Sequence, residues 1–272
     1  MRKFLFIVLI LSIAAGFYGC GKSEKIDESK RTELRVGTDA TYPPFETVNP
    51  QSGKPEGFDI DLITAVCKVY GWKPDFIVTP FDGMIPGLMA RKYDAAISAI
   101  TITPERAAVV SFSTPYYLAG QTIAVPLGDS VIMTLDDLRG KRVGVQLGTT
   151  GEIMAKQTDG VAVYSFDNIG AAFIDMANGN LDAVLNDYPT TREYIKRHGT
   201  AKTVGPILST EYYGIAVRKN DTQLLGEVNA ALEEIRKNGV YDSLHVKWFG
   251  TPPPIPDTVK MVPPSERDTV SK

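Results

Sequence analysis

Short apolar runs rich in Val and Ile recur along the chain, bounded by Gly, Pro or Asp, and this pattern predicts strands. Between them, apolar residues recur at three-and-four spacing, which predicts helices. The predicted strands are Leu34 to Thr38, Asp75 to Val78, Ala95 to Ala99, Thr122 to Val125, Arg142 to Gln146, Val161 to Tyr164, Asp182 to Leu185 and Tyr213 to Val217. The alternation of strands and helices indicates an α/β protein with parallel sheets.

The first predicted helix has Asp59 as its expected N-cap and Gly71 at its end, with Ile60, Ile63 and Cys67 on one buried face. Cys67 is therefore expected in the core. The remaining helices are predicted at Gly83 to Ala90, Gly151 to Gln157, Asn168 to Asn178, Tyr188 to Arg197 and Thr222 to Lys237.

Polar residues follow several predicted strands, where parallel sheets bind their ligands. They are Asp39, then Ser98, Ala99, Thr101 and Arg106, then Gln146, Thr149 and Thr150, and finally Asn186 and Asp187. Arg106 and the helix that opens near Thr150 suit an anion, and Asp187 suits a cation. Tyr42, Phe45 and Phe81 offer apolar walls. Together they complement a zwitterion.

Each of these residues also has a simpler interpretation. Arg106 could be a solvated surface residue, and Asp187 could cap the helix that follows it. Tyr42 and Phe45 could belong to the core. The residues alone leave these alternatives open.

The first twenty residues indicate export. Arg2 and Lys3 precede an apolar run from Phe4 that ends in small residues before Cys20. A polar stretch follows, and this order resembles a bacterial lipoprotein. We expect a signal peptide over residues 1–20, lipid on Cys20 and a tether over residues 21–30; an uncleaved membrane anchor is the alternative.

Composition narrows the possible functions. The chain has 272 residues, 29 basic and 32 acidic side chains and a formal charge of -3, which disfavours nucleic-acid binding. Two histidines and two cysteines cannot form a closed zinc site of the usual spacing. We expect no metal or cofactor, and with Cys20 lipidated, no intramolecular disulfide.

An ordered set of motifs resembles the periplasmic polar amino-acid binding proteins of ABC importers. The motifs are Gly57 to Asp61, Phe81 to Leu88, Asp94 to Ser98, Ile102 to Arg106, Phe112 to Tyr117, Gly140 to Val145, Leu181 to Val184 and Lys247 to Gly250. The resemblance covers Glu33 to Gly250.

This resemblance implies a type II fold of two α/β lobes joined by two hinge strands, near Gln121 to Val125 and Tyr212 to Val217. Lobe 1 would comprise residues 31–120 and 218–250. Residues 121–217 would hold the hinge strands and lobe 2, and residues 251–272, with six prolines, would form a tail.

The resemblance also implies roles for the polar residues. Arg106 would bind a ligand α-carboxylate with the backbone N–H groups of Thr101 and Thr150. Asp187, the Thr101 hydroxyl and the Ala99 carbonyl would bind the α-ammonium. Ser98 and Thr149 belong to the same loops.

Selectivity would come from residues around the distal end of the ligand: Asp39, Tyr42, Phe45, Phe81, Gln146, Gly151 and Asn186. A buried Asp39 demands a donor and repels glutamate. Glutamine is favoured over arginine, because one carboxylate and two amides suit an amide group. A basic amino acid (arginine, lysine or histidine) is the alternative.

The expected function is that of an extracytoplasmic binding protein, not an enzyme. Lobe closure on an L-amino acid would present it to a permease in the cytoplasmic membrane, with the protein monomeric and held by its lipid. The alternative from another class is a periplasmic cyclohexadienyl or arogenate dehydratase, which would need a general acid such as Asp39 or Asp187.

Overall fold

The structure is a computed structural model, and it describes residues 31–253. Its strands are β1 (Glu33–Thr38), β2 (Thr41–Tyr42), β3 (Glu46–Val48), β4 (Pro55–Glu56), β5 (Lys73–Val78), β6 (Ala95–Ala96), β7 (Val110–Phe112), β8 (Tyr117–Ala119), β9 (Gln121–Pro126), β10 (Arg142–Gln146), β11 (Ala162–Phe166), β12 (Ala183–Asp187), β13 (Ala201–Val204), β14 (Glu211–Tyr213) and β15 (Ala216–Arg218).

The helices alternate with these strands. They are α1 (Phe58–Val69), α2 (Met84–Met89), α3 (Pro104–Val109), α4 (Thr150–Gln157), α5 (Ile169–Ala177), α6 (Tyr188–His198), α7 (Thr222–Lys237) and α8 (Val240–Phe249). Two short 3-10 helices lie at Phe81–Gly83 and Asp136–Leu138.

The first sheet has the strand order β5-β1-β6-β15-β7. Strand β1 is parallel to β5 and β6, whereas β15 is antiparallel to β6 and β7. Successive side chains point to opposite faces, so Ile215 and Val217 pack in the same cluster as helices α1 and α7 while Ala216 packs with α2. Both faces of this sheet are therefore covered by helices.

The second sheet has the order β11-β10-β12-β9-β13. Strands β10, β11 and β12 are parallel, and β9 is antiparallel to both β12 and β13. Leu185 packs in one cluster with Ala155 of α4, and Val184 packs in another with Phe173 of α5. The prediction of purely parallel sheets was wrong, because β9 and β15 enter their sheets from the other half of the chain and run against their neighbours.

A short antiparallel ladder connects the two halves. Tyr117 to Ala119 in β8 pair with Tyr213 to Glu211 in β14. This ladder lies just before the crossing predicted at Gln121 to Val125 and overlaps the start of the one predicted at Tyr212 to Val217. The two-lobed α/β fold is confirmed, while the exact lobe boundaries stay a prediction.

Local details around α1 differ from the sequence prediction. Gly57, not Asp59, takes the N-cap position, and Asp59 lies in the first turn with no exposed surface. Gly57 has φ of 144°, and a Cβ there would lie 2.0 Å from the Phe45 carbonyl oxygen. Only glycine lets the backbone at residue 57 lie this close to the Phe45 carbonyl. The Asp59 side chain does not cap the helix and instead contacts Ala99 and Tyr116. Cys67 is buried in the core, as predicted.

Several elements escaped the sequence prediction because they are short. The strands β2, β3 and β4 form a separate small sheet, and α3 spans only Pro104–Val109. Helix α8 was also missed. It begins directly after Gly239, whose φ of 77° lies in the left-handed region.

None of the helices within residues 31–253 has the length and hydrophobicity needed to cross a bilayer. The predicted signal peptide, Cys20 and tether, and the tail from residue 254 onward, lie outside the described residues.

Candidate functional site

Most of the residues singled out by sequence line one narrow cavity between the two sheets. The lining residues are Tyr42, Phe81, Ser98, Ala99, Thr101, Arg106, Gln146, Thr149, Thr150 and Asp187. The ends of β6, β10 and β12, or the segments directly after them, supply seven of these ten; Arg106 comes from α3, Tyr42 from β2 and Phe81 from the first 3-10 helix. The structure therefore brings polar groups from three strand ends to one cavity.

Arg106 crosses from the first half of the cleft to the second. The Thr103 hydroxyl caps α3 by accepting the Arg106 backbone N–H at 3.2 Å. The guanidinium donates to the Thr101 carbonyl at 2.8 Å and to the Gly148 carbonyl at 2.9 Å, and lies 5.3 Å from the centre of the Phe81 ring. Arg106 is therefore a cleft residue and not a solvated surface residue.

Burial lowers the pKa of the Arg106 guanidinium from its ordinary value, against the opposing effect of the Glu211 and Asp187 charges. Among residues 31–253, no carboxylate lies within ion-pair distance of it. A planar guanidinium whose hydrogen bonds go to carbonyl oxygens retains its full charge for an anion.

Asp187 ends β12 and occupies the N-cap position of α6, yet its side chain makes no capping hydrogen bond. Its carboxylate accepts hydrogen bonds from the Gln121 amide and from the Tyr213 hydroxyl. The helix-cap alternative is thereby excluded. Burial, with the nearby charge of Glu211, raises the pKa of Asp187 to about 7.

Glu211 is a cleft carboxylate that the sequence analysis missed. One of its oxygens accepts hydrogen bonds from the Thr101 hydroxyl at 2.7 Å and from the Thr150 hydroxyl at 2.8 Å. The other accepts from Ser209 at 2.8 Å. Glu211 thus joins the two halves of the cleft through the hydroxyl groups expected to contact a ligand.

Asp39 follows β1 directly and does not itself line the cavity, but it contacts Gln146, which does. Its carboxylate accepts from the Thr41 hydroxyl at 2.6 Å and from the Gln146 amide nitrogen at 2.9 Å. Burial raises the pKa of Asp39 above its ordinary value. The Gln146 nitrogen also donates to the Asp167 carbonyl at 3.2 Å, so two acceptors fix the orientation of this amide.

The amide oxygen of Gln146 is buried, and no donor within residues 31–253 reaches it. A buried acceptor without a partner costs about 1–3 kcal/mol. Asp39 lies beside it, so this part of the site offers an amide oxygen without a donor and a carboxylate to a ligand.

The loops beside Arg106 are built by local hydrogen bonds. Thr149 caps α4 by accepting the Glu152 backbone N–H at 3.2 Å, and its hydroxyl donates to the Gln146 carbonyl at 2.7 Å. The Thr150 hydroxyl accepts from Gln121 at 3.1 Å. The start of α4 therefore faces the cavity with its first turn open.

Four predicted residues do not line the cavity: Asp39, Phe45, Gly151 and Asn186. Phe45 has no exposed surface and packs against Tyr117, Tyr213 and Phe249 with ring centres 4.9, 5.3 and 5.4 Å away. This corrects its assignment as a wall of the site: the turn after Pro43-Pro44 directs its ring into the aromatic core.

Asn186 is also occupied by the protein itself. Its amide oxygen accepts from the Tyr42 hydroxyl at 2.7 Å, and its nitrogen donates to the Asp187 carbonyl and the Thr191 hydroxyl, both at 3.3 Å. Asn186 therefore holds Tyr42 across the cleft and has no free amide for a ligand side chain.

Comparison with known proteins identifies the relatives of this chain. Residues 34–251 match the family model for bacterial extracellular solute-binding proteins, family 3. The chain is 37% identical over 249 residues to the "ABC transporter arginine-binding protein 1" of Escherichia coli K12, covering 89% of this chain and 98% of that protein.

Two kinds of solved structure are similar. An ancestral arginine-binding protein, solved bound to arginine and also to glutamine, is 47% identical with a TM-score of 0.78 and covers 81% of this chain and 99% of its own. The ancestral amino acid-binding protein AncCDT-1, described as a precursor of cyclohexadienyl dehydratase, is 42% identical with a TM-score of 0.77, covering 81% and 97%. These relatives are described as binding proteins.

The placement of Phe45 generates a test. We expect Phe45→Leu to lower the free energy of unfolding by about 0.5–3 kcal/mol, because it removes ring contacts in a fully buried cluster. Phe81→Leu, at the half-buried cavity wall, is the matched control and should cost less. Urea unfolding followed by far-UV circular dichroism measures both, and a larger loss for Phe81→Leu would contradict the assignment.

Proposed function

The chain belongs to family 3 of the bacterial extracellular solute-binding proteins, and we propose that its ligand is a basic L-amino acid, with L-arginine first. Its relatives make it an extracytoplasmic amino-acid-binding protein that works with the permease of an ABC transporter. The identity of the amino acid is the proposal, and it rests on the two ends of the cavity.

The end at Arg106 and Asp187 suits the part that all α-amino acids share. A guanidinium fork can bind a carboxylate through two parallel hydrogen bonds, with the open first turn of α4 beside it. The buried Asp187 carboxylate is a partner for an ammonium group. This end supports binding of an amino acid without choosing among them.

The observation that carries arginine is the acceptor-rich end at Asp39 and Gln146. The unpartnered Gln146 oxygen and the Asp39 carboxylate both require donors. A guanidinium offers five N–H donors and no acceptor, whereas a glutamine amide would bring an acceptor oxygen into the same space. Donor count therefore favours arginine over the glutamine expected from sequence.

Charge supports the same choice. The cleft holds the carboxyl groups of Asp39, Asp187 and Glu211 but the single guanidinium of Arg106. Buried charges need compensation, and arginine brings two positive groups and one negative group. Glutamine brings one of each, so it leaves the excess of carboxylates unchanged.

Glutamine remains the second candidate for a specific reason. The similar ancestral arginine-binding protein was also solved with glutamine bound. The Gln146 oxygen would accept from the ligand amide nitrogen, while the ligand amide oxygen would find no donor in the Asp39 carboxylate. Lipid attachment at Cys20 and a monomeric state remain parts of the proposal that rest on the sequence alone.

Isothermal titration of ligand-free protein tests the ligand. We expect arginine to bind more tightly than lysine, histidine and glutamine, and glutamate to bind weakest. Citrulline has the shape of arginine with a neutral ureido group, so a loss of at least about tenfold from arginine to citrulline isolates the charge. Tighter binding of glutamine than arginine would contradict the proposal, and turnover of prephenate would revive the dehydratase alternative.

Asp39→Asn is the matched variant for this titration. It preserves shape and removes the carboxylate, so it should weaken arginine by about 2–4 kcal/mol while changing glutamine and citrulline much less. An equal loss for all three ligands would mean that Asp39 supports the fold and does not select the ligand.

Arg106 should act on every ligand alike. Arg106→Ala is expected to cost about 2–4 kcal/mol in binding any α-amino acid, because the ligand carboxylate loses its buried partner. Arg106→Lys keeps the charge without the fork and should recover part of the loss. Titration of both variants with arginine and glutamine checks this, and a loss confined to one ligand would contradict the shared role.

Binding should also depend on pH through Asp187. Because the pKa of Asp187 is raised to about 7, part of the ligand-free protein carries a proton there at pH 6. An ammonium requires the ionised carboxylate, so binding releases a proton and affinity falls as pH drops below about 7, by up to about tenfold per unit.

Titrations at pH 6 in phosphate and in a buffer of high ionisation heat, such as imidazole, measure this proton directly. Burial raises the pKa of Asp39 as well, so the Asp39→Asn variant serves as the control that isolates Asp187. Identical heats in the two buffers would contradict proton release.

A further inference from the structure

Two carboxyl groups lie against each other beneath the cavity. Glu46 of β3 and Asp59 of α1 both have no exposed surface. They accept hydrogen bonds from the neighbouring residues Ser98 and Ala99, and the two carboxyl groups are close enough for each to affect the pKa of the other. Neither lines the cavity, and neither forms an ion pair with a Lys, Arg or His within residues 31–253. A buried pair of like groups without a cation requires an explanation.

Counting the hydrogen bonds of the four oxygens shows what is missing. One Glu46 oxygen, Oε1, accepts from the Ser98 hydroxyl at 2.7 Å. One Asp59 oxygen, Oδ2, accepts from the Ala99 backbone N–H at 2.7 Å and from the Tyr116 hydroxyl at 2.8 Å. The other two, Glu46 Oε2 and Asp59 Oδ1, receive no donor from the described residues. One proton between them would satisfy both.

The surroundings favour a proton. The other titratable groups near the pair are Tyr116, which donates to Asp59, Tyr241, whose hydroxyl donates to the Tyr116 carbonyl, and Asp39, whose negative charge opposes a second one nearby. Burial raises the pKa of both carboxyl groups, that of Asp59 to about 7 and that of Glu46 well above its ordinary range. Two carboxylates in contact cannot both ionise cheaply.

The pair connects directly to the cavity. The Ser98 hydroxyl, which donates to Glu46, accepts the Asp39 backbone N–H at 3.0 Å. Ala99 has φ of 46°, in the left-handed region that costs a non-glycine residue roughly 1–2 kcal/mol. The Asp59 carboxylate holds Ala99 there through its N–H, so the pair reaches Ser98, Ala99 and Asp39.

We propose that Glu46 and Asp59 share one proton, carried on Glu46 Oε2 and donated to Asp59 Oδ1, and that the protonated pair positions the Ser98–Ala99 segment and Asp39 for the ligand. The positioning part rests on the proposed function of the cavity. The proton comes from solvent as the chain folds, and the pair carries one net negative charge.

Loss of this proton at alkaline pH would leave two adjacent buried anions. They would separate, and Ala99 and Ser98 would lose the geometry that their hydrogen bonds impose. Ligand affinity should therefore fall at alkaline pH, opposite to the acid-side dependence set by Asp187.

Glu46→Gln separates the proton from the shape. Its amide oxygen can accept from Ser98 and its nitrogen can donate to Asp59 at every pH, so it mimics the protonated pair. We expect L-arginine affinity within about threefold of the parent at pH 7, and loss of the alkaline decline that the parent shows. Asp59→Asn provides a second variant with the same net charge, in which the amide donates to Glu46.

Infrared spectroscopy of the ligand-free protein supplies a readout independent of ligand. Asp187 also carries a proton in part of the ligand-free molecules, so the spectra are compared with Asp187→Asn present in both proteins. The buried carboxylic acid C=O band at neutral pH should lose intensity when Glu46→Gln is added. Unfolding free energy of the parent should also fall as pH rises from about 4 upward, because the folded pair keeps a proton that the unfolded chain releases; the fall should be smaller in the variant.

The outcomes distinguish the two proposals. If L-arginine does not bind the parent, the proposed ligand fails while the infrared band still decides the shared proton. Absence of the band in the Asp187→Asn protein, or no loss of its intensity when Glu46→Gln is added, overturns the shared proton. A Glu46→Gln variant that removes this intensity but keeps the full alkaline decline in affinity overturns the positioning role.

Discussion

The cost of burying carboxyl groups is the constraint on which the rest of the cleft depends. Asp39, Asp187 and Glu211 lie almost fully buried between the two sheets, with one guanidinium, Arg106, beside them. A carboxylate removed from water must be compensated by hydrogen bonds, a cation or a proton. Every distinctive contact of the site supplies one of these: hydroxyl donors to Glu211, amide and phenol donors to Asp187, and the Gln146 amide to Asp39.

These contacts explain why the two-lobed fold and the site cannot be separated. Parallel strands bring their carboxyl ends to one edge in each sheet, and the cleft lies where the two edges face each other. The β8–β14 ladder places Glu211 between them, so that its hydrogen bonds to Thr101 and Thr150 join one lobe to the other. These hydrogen bonds cross the cleft, so the hydroxyl groups that compensate the Glu211 charge also link the two lobes.

The sequence predicted the site residues that follow strands or belong to ordered motifs. It missed the residues whose position depends only on tertiary contacts. Asp187 and Arg106 were found because each follows a recognisable strand end. Glu211 was missed because its partners lie 110 and 61 residues away and nothing local marks it. Phe45 was misplaced because an aromatic residue after a Pro-Pro turn can line a wall or fill a core equally well. The prediction that Asp59 caps α1 was wrong because its actual partners, Ala99 and Tyr116, are distant in sequence and reach it only in the folded protein.

The buried acids divide into two tiers according to access. Asp187 lines the cavity and Asp39 contacts Gln146 there, so a ligand cation can take the place of a proton or of a hydrogen-bond donor on either carboxyl group. Glu46 and Asp59 have no exposed surface, and a ligand cannot reach them; for them a proton is the available compensation. In the proposed mode of binding, the ligand cation replaces a proton or a donor at Asp39 and Asp187. Glu46 and Asp59 meanwhile keep their shared proton and hold the backbone at Ala99. A cleft arranged in this way would bind cationic ligands best between two limits of pH, one set by each tier.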